Sequence, residues 1–599
     1  MLVLRNAVKR RLLPVEQMER AGRFILRELT RDPTAARLPH VVLLGQCTTS
    51  WLAPVVAAIA WAEGSPSIVS DGEYDNVYQD VSRLDLAEDE SCILILLPWN
   101  RRLLSGSDRS PRARIEDELS FWRQIWRIAA EKHVGRIIQV GYDWITPGPG
   151  GYHLEARPGG GIHTVRSLNN ALQEMLPSGA FFVSLDDIAG QHGRQTFYDP
   201  RQYAWTKQPF TDAGCYLLAR HLCAAMRAVT VGPRKVIAVD LDNTIWGGLV
   251  GEVGPHGVSL GETVEGEAFR AVQLHLKGLR ERGILLVACS KNNSQDAREP
   301  FLSNPHMVLS LEDFAAFEAN WEPKPDNLRR IAHTLGLNLD SFVFLDDSAA
   351  ERELVQQVCP EVAVIDLPDD PAEYVRALSD ALWFEARDVT LEDTQRSQYY
   401  AAESMRRESV SDATSMEAYL ASLEMIGDVR ELTDADVPRV VQLLGKTNQF
   451  NLTTRRHGEG ELRALLSPPG AFALTLRLRD RFGDHGLVAA AIAVPNAEAS
   501  ITKRTLSIDS FVMSCRVIGR TAEHYLMNAL LAAAHGRGYA AVRGEFVPTP
   551  KNAVVRDFYA AMGFVRQDDS RSRVSEVGSL YERSLSESTV LASHVRHAV

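Results

Sequence analysis

The sequence predicts a multidomain α/β protein, and three observations carry that reading. Apolar, strand-sized runs alternate with amphipathic helical stretches from residue 40 to about 385, the pattern of parallel sheets covered by helices. Several of these runs end abruptly in chemistry-bearing residues, as in KVIAVDLDNTIWGG (235–248). A further block, from about residue 421, mixes long strands with two helices and reads as a compact α+β domain.

Length and composition set the frame. With 599 residues, 45% hydrophobic and 24% charged, the chain suits about three or four globular domains. A net charge of −12 supplies no basic field for nucleic acid, so no nucleic-acid role is expected. The longest apolar runs, CILILLPW (92–99) and ILLVACS (284–290), fall far short of a membrane span. The basic start, MLVLRNAVKRRLLPVEQ, lacks the apolar core and cleavage site of a secretory signal and reads as a surface helix. Seven scattered cysteines (47, 92, 215, 223, 289, 359 and 515) form no CxxC pair, which excludes a disulfide framework or zinc ribbon. A cytoplasmic, membrane-free protein is expected.

The first block, 1–232, carries strands HVVLLGQ (40–46), CILILLPW and RIIQVGY (136–142), and closes with a helix over 211–229 before Gly232 and Pro233. The second, 233–386, repeats the alternation with KVIAVD, GILLVACS, HMVLS (306–310) and SFVFLDD as strands. A polar, charge-rich stretch over 387–420 reads as a helical linker. The third block, 421–590, carries AFALTLRLRD, GLVAAAIAV, TLSIDSFVMSC and YAAVRGEFV as strands, with helices at 521–535 and 552–561. The tail, 591–599, is expected to be disordered.

Chemistry concentrates in the second block. Residues two apart in an extended segment share a side, so Asp240 and Asp242 converge at a strand's carboxyl end, where open α/β sheets bind ligands. Two facing carboxylates repel unless a cation lies between them, and Mg2+ is the natural hard-oxygen counter-ion. Ser290 ends the strand GILLVACS, Lys324 is held between Pro323 and Pro325 in what reads as a rigid loop, and Asp346 and Asp347 end SFVFLDD. Each has a bland reading: an N-cap serine, a solvated lysine, turn-forming aspartates. Four such signals in order, each at a strand end, outweigh those readings together.

This block resembles the haloacid-dehalogenase (HAD) phosphotransferases. The resemblance implies Asp240 as nucleophile, Asp242 as general acid/base, and Ser290, Lys324 and Thr244 as phosphate holders. It also implies Mg2+ held by Asp240, Asp242 (through its backbone carbonyl) and Asp346 or Asp347. The intervals between these motifs hold no full cap domain; GGLVGEVGPHG (247–257) would make at most a short flap. An uncapped site, open to bulk solvent at Asp240, is therefore expected.

The wording VDLDNTIWGGLVGEVGPHG, NWEPKPDNLRRIA and SFVFLDDSAAERE, with LLGKTNQFNLTTRR (443–456) and DSFVMSCRVIGR (509–520), is similar to the FkbH-like proteins of polyketide-type antibiotic biosynthesis. That resemblance implies recruitment of 1,3-bisphosphoglycerate, loss of its phosphates, and delivery of a glyceryl group to the phosphopantetheine thiol of a holo acyl carrier protein through a cysteine thioester. The third block resembles a GNAT acyltransferase, with RVIGRT (516–521) at its pyrophosphate loop and Tyr559 at its usual acid position. Cys515 is the first candidate thiol, and Arg516, Gly519, Arg520, Asn448 and Asn451 are candidate pantetheine or acyl contacts. The first block resembles SGNH hydrolases, with GQC (45–47) in place of Gly-Asp-Ser, so Cys47 is the second candidate thiol and Cys289 the third. Asn100 is a candidate oxyanion donor, and Lys207, Gln208 and Pro209 stand where a catalytic histidine would. Two other functions compete with glyceryl transfer: a plain phosphatase for a small phosphorylated metabolite, and a non-catalytic scaffold for carrier proteins.

Overall fold

The computed structural model describes residues 2–9, 12–32, 38–84, 92–104, 109–394, 416–447, 449–481, 483–496, 504–514, 517–549, 552–567, 578–586 and 590–598. They divide into two compact units. Unit 1 is Met1–Gly232 with Glu385–Arg387 and His457–Leu462; unit 2 is the remainder.

In unit 1, β1 (His40–Gly45), β2 (Ile68–Asp71), β3 (Cys92–Leu97), β4 (Arg136–Val140) and β5 (Phe181–Val183) form a parallel sheet in the order β2-β1-β3-β4-β5. Every residue of β3 is buried, which is why CILILL is a continuous apolar run and not an alternating one. Side chains alternate between two cores. Ile93, Ile95 and Leu97 pack with the helices Met18–Arg31, Leu52–Ala62 and Asp212–Thr230. Leu94 and Leu96 pack with Pro111–Glu131 and Gly161–Glu174. Gly22 lets two of those helices meet closely, because a Cβ there would lie 1.9 Å from the Pro54 carbonyl oxygen.

In unit 2, β6 (Val236–Val239), β7 (Leu285–Ser290), β8 (Phe314–Ala319), β9 (Phe342–Leu345) and β10 (Ala363–Val364) form a second parallel sheet, ordered β10-β9-β6-β7-β8. HMVLS is not a strand. The side chain of Gln273 accepts the N–H groups of Val308 and Leu309 and so holds that stretch as coil. The sheet edge is FAAFEA instead, whose alanines and glutamate disguise it as helix.

The third sheet is mixed: β11 (Ile426–Glu431), β12 (Phe472–Asp480), β13 (Gly483–Pro495), β14 (Thr505–Met513), β15 (Ala541–Phe546), β16 (Val565–Arg566), β17 (Ser579–Ser584) and β18 (Arg596–His597). Its order is β16-β17-β15-β14-β13-β12-β11-β18. β14 and β15 pair only from Thr505–Ile508 against Ala541–Gly544. Beyond that point residues 450–452 fill the gap. The Phe450 carbonyl accepts the Met513 N–H at 3.1 Å, and the Leu452 carbonyl accepts the Val547 N–H at 2.8 Å.

Two expectations are corrected here. The 552–561 stretch is no continuous helix but two short turns, Ala553–Val555 and Phe558–Ala561. Residues 591–598 are not a disordered tail. Asn528 brackets the Leu591 backbone, the Thr521 hydroxyl accepts the His594 N–H, Val595 is buried, and β18 pairs with β11. Most of the 387–420 linker lies outside the described residues; its ends form helices Leu391–Thr394 and Met416–Ser422. Among the described residues no helix is long and apolar enough to cross a membrane.

His221, on the Asp212–Thr230 helix, gives unit 1 an acid sensitivity. Burial, helped by Arg220 and His192, pushes its pKa down from 6.5 to about 4. Between those values the unfolded chain takes up a proton that the folded chain refuses, so stability falls as pH drops through that window. His221→Gln removes this contribution, and melting temperature against pH from 7 to 4 should fall less steeply in the variant than in the parent.

Candidate active site

The site lies where β6, β7 and β9 end. β6 is flanked by β9 and β7, so residues 240, 290 and 346, each at or just past a strand terminus, gather at one end of the sheet. Carboxylate oxygens of Asp240, Asp346 and Asp347 lie within 4.8 Å of one another. The Lys324 ammonium stands between two of them, 3.1 Å from Asp240 Oδ1 and hydrogen-bonded to Asp346.

Lys324 is not in a loop. It is the first residue of the Lys324–Leu335 helix, with Pro323 before it and Pro325 fixing the first turn, where a missing N–H costs nothing. Its side chain is 3% exposed and that of Asp346 is 0%. Burial opposes the ammonium, but Asp240 and Asp346 more than offset it and hold its pKa above the ordinary lysine value. Burial, and then the Asp240 charge, raise both Asp346 and Asp347 in spite of Lys324. Three acidic groups thus share one cation, and the cluster is short of positive charge. Asp240 Oδ1 is also buried without a hydrogen bond. A carboxylate oxygen whose neighbouring charge is one shared ammonium, amid two further carboxylates, belongs to a donor set that fits a hard divalent cation.

The acidic loop is held from behind. Arg352 donates to the carbonyls of Asp346 and Asp347 at 2.8 and 2.7 Å. The Ser348 N–H donates to Asp346 Oδ1 at 2.9 Å. Thr244 is fully buried and its hydroxyl exchanges hydrogen bonds with Asp347, so it ties the first acidic turn to the acidic loop. Ser290 is 1% exposed at the end of β7.

The Asp242 carboxylate does not join Asp240, Asp346 and Asp347. It accepts from Trp246 Nε1, the Val250 N–H and Asn292 Nδ2. The strand ends at Val239, so the alternation of an extended segment does not hold over Asp240 and Asp242. Asn243, next in the chain, has a left-handed backbone (φ 54°), and its side chain accepts the Gly248 N–H at 2.8 Å. Gln273 donates to the Ile245 carbonyl at 2.8 Å and pins the same turn. The flap is the four-residue helix Val250–Val253, tied back by pairing of Gly247 with Ser259. Asp240 is only 7% exposed, so the site is narrow and not open to bulk solvent as its lack of a cap suggests.

The remaining candidates fall outside this site. Cys515, Arg516 and Asn448 lie outside the described residues. Arg520 is buried with its guanidinium 3.6 Å from Asp480, and is therefore not aimed at an acyl or pyrophosphate ligand. Gly519 has φ 75° and Thr521, after it, φ 60°, which shape the turn into the Ala522–Gly536 helix. The Asn451 side chain is used within its own turn, with Thr454 and Arg455, so it too is no ligand contact. Tyr559 is buried beneath Gly544, where a Cβ would lie 2.2 Å from its ring. Cys47 and Cys289 are 1% and 0% exposed, and burial pushes both thiols up, which suits core packing. Asn100 spends its amide on the Asp143 carbonyl at 2.7 Å, and Gln208 donates to Cys215 Sγ and the Phe210 carbonyl. Neither is arranged for hydrolysis.

Sequence reasoning missed Trp246, Gln273, Asn292 and Arg352. Trp246 lies within KVIAVDLDNTIWGG and Asn292 two residues past ILLVACS, and a donor near an acidic pair was the available signal. Arg352 lies in SFVFLDDSAAERE, one helical turn past the acidic pair, whereas Gln273 sits in a helix with nothing in its neighbours to mark it.

Lys324→Met leaves the buried Asp240 and Asp346, and the half-buried Asp347, without their shared counter-charge. Stability without added metal should drop by about 3–5 kcal/mol, the usual cost of breaking a buried pair from one side. Mg2+ should recover part of it, read by denaturant unfolding with and without the ion.

No protein-family model matches the chain, and no curated protein matches it. Among solved structures it is similar to the N-terminal part of BF1531 from Bacteroides fragilis, which contains a phosphatase domain and was crystallised with Mg. The identity is 30% and the TM-score 0.55, over 61% of this chain and 99% of that one. It is also similar to an N-acetyltransferase from Staphylococcus aureus Mu50 at 13% identity and TM-score 0.20, over 27% of this chain and 99% of that one. The ribosomal-protein-S18-alanine N-acetyltransferase from Escherichia coli matches at 12% identity and TM-score 0.20, over 27% of this chain and 97% of that one. Similarity at this identity across nearly the whole of the first structure, together with the acidic cluster and its lysine, places the chain in a family: it belongs with BF1531, whose N-terminal part carries a phosphatase domain.

Proposed function

We propose that the chain is a Mg2+-dependent phosphatase and glyceryl (acyl) transferase of the FkbH-like type. The observation that carries the phosphatase part is the gathering of Asp240, Asp346 and Asp347 around Lys324 at the ends of neighbouring parallel strands. The phosphatase domain of BF1531, crystallised with Mg, supports it. Asp240, Asp346 and Asp347 would hold Mg2+, with the Asp242 backbone carbonyl. The ion supplies the charge that lets a carboxylate approach a phosphate dianion.

Asp240 then attacks phosphorus, and the bond from phosphorus to the C3 oxygen breaks. Asp242 gives its proton to the departing alkoxide and takes one from the water that later attacks the aspartyl phosphate. Lys324 and Ser290 steady the phosphoryl oxygens. The motifs shared with FkbH-like proteins supply the substrate, 1,3-bisphosphoglycerate. Its C1 acyl phosphate is already activated, so a thiolate displaces phosphate from the carbonyl carbon to give a thioester. Cys515 is the proposed thiol, and the phosphopantetheine thiol of an acyl carrier protein is the final acceptor.

Intact mass separates the readings when the protein is incubated with Mg2+, 1,3-bisphosphoglycerate and a holo carrier. A glyceryl group on the carrier supports transfer, phosphate release alone leaves a small-metabolite phosphatase, and no turnover leaves a scaffold. Asp240→Asn and chelation of Mg2+ should each reduce phosphate release to background, and Asp242→Asn should lower it by about 10²–10⁴-fold. Unchanged carrier loading by Cys515→Ala would remove that cysteine from the scheme.

A further inference from the structure

Asp242 is held by an unusually complete set of donors. Oδ1 accepts Trp246 Nε1 at 2.8 Å and the Val250 N–H at 3.1 Å, and Oδ2 accepts Asn292 Nδ2 at 2.9 Å. Two of these donors belong to the flap side and one to the loop after β7, so the carboxylate is gripped from two directions. Trp246 is 0% exposed and meets the Phe301 ring edge-on, with centroids 5.4 Å apart. A buried indole N–H has one proton to give and nowhere else to give it. Asn292 is 5% exposed, so its amide is fixed in the same way.

A group that moves a proton must present its oxygen along the line of the breaking bond. A carboxylate rotates freely about χ2 unless donors fix it, and here both oxygens are fixed. We propose that Trp246 and Asn292 are positioning residues of phosphoryl transfer, holding the Asp242 carboxyl in the orientation that delivers a proton to the leaving oxygen. The inference rests on the acid role given to Asp242 under the proposed function. Neither residue touches the phosphoryl group in this scheme; both act through Asp242.

A positioning role has a signature that a merely structural one lacks. A strongly basic alkoxide needs a proton as it leaves, whereas nitrophenolate departs without one. Hydrolysis of the aspartyl phosphate is common to both, so the difference shows in kcat/KM, which reports the first transfer: loss of Asp242 orientation lowers it selectively for alkyl phosphates. Loss of packing lowers both substrates together.

The test uses the full chain with Mg2+, and compares 3-phosphoglycerate with p-nitrophenyl phosphate. Trp246→Phe keeps the ring and removes the N–H. Asn292→Leu keeps the approximate shape and removes the amide. Each should lower kcat/KM on the alkyl phosphate by about tenfold or more, and on the aryl phosphate by less than about threefold, in the direction shown more strongly by Asp242→Asn. Equal losses on the two substrates, or no loss on either, would overturn the positioning role. If Trp246→Phe does not fold, Asn292→Leu carries the comparison alone. A parent protein inactive on both phosphates would instead overturn the phosphatase reading itself.

Discussion

One buried ammonium governs the acidic site of this protein. Lys324 is surrounded by carboxylates on strands that would otherwise have no reason to tolerate each other, and its charge is what lets Asp240 and Asp346 share a water-poor space. Taking an ion out of water costs several kcal/mol, and only close partners offset it. Much of the surrounding structure exists to supply those partners. The Pro323–Pro325 bracket sets the helix start that launches the lysine, and Arg352 clamps the carbonyls of the acidic loop. Thr244 ties the first acidic turn to the second. The sheet order completes the scheme, because only a β6 flanked by β9 and β7 brings the three strand ends together.

What could be read beforehand is what is local. Continuous apolar runs marked the buried parallel strands, and charged residues directly after them marked the functional edge. The side of each carboxylate was not legible. Alternation puts Asp240 and Asp242 on one side of an extended segment, but the strand ends at Val239, before either of them, and the two carboxylates part. The edge strand FAAFEA was missed for a related reason. Its composition favours helix, and pairing with β7 overrides that preference. Gln273 is the hardest case. It holds the Ile245 turn and the Val308–Leu309 coil together through one side chain, and no spacing rule connects those positions.

The mixed sheet shows why motif position alone does not give a ligand site. RVIGR stands between a strand and a helix, yet Arg520 is turned to Asp480. The diverging edges of β14 and β15 are not left bare, since residues 450–452 bond to both. Arg455, just beyond, pairs with Asp509 on β14 and Glu545 on β15 and so ties the insert across the opening. Unpaired strand edges invite foreign strands, and the chain has met that hazard with its own backbone.

The pairing of β6 with β9 has a kinetic consequence. The register sets Val239 beside Leu345, so strands roughly a hundred residues apart in the chain lie side by side, with β7 and β8 formed from the sequence between them. Closing so long a loop is an entropic cost met before any carboxylate meets its neighbour. The acidic cluster therefore has no existence in a half-folded chain. Whatever binds there cannot guide the chain to its native order, and can only slow its departure once that order has been reached.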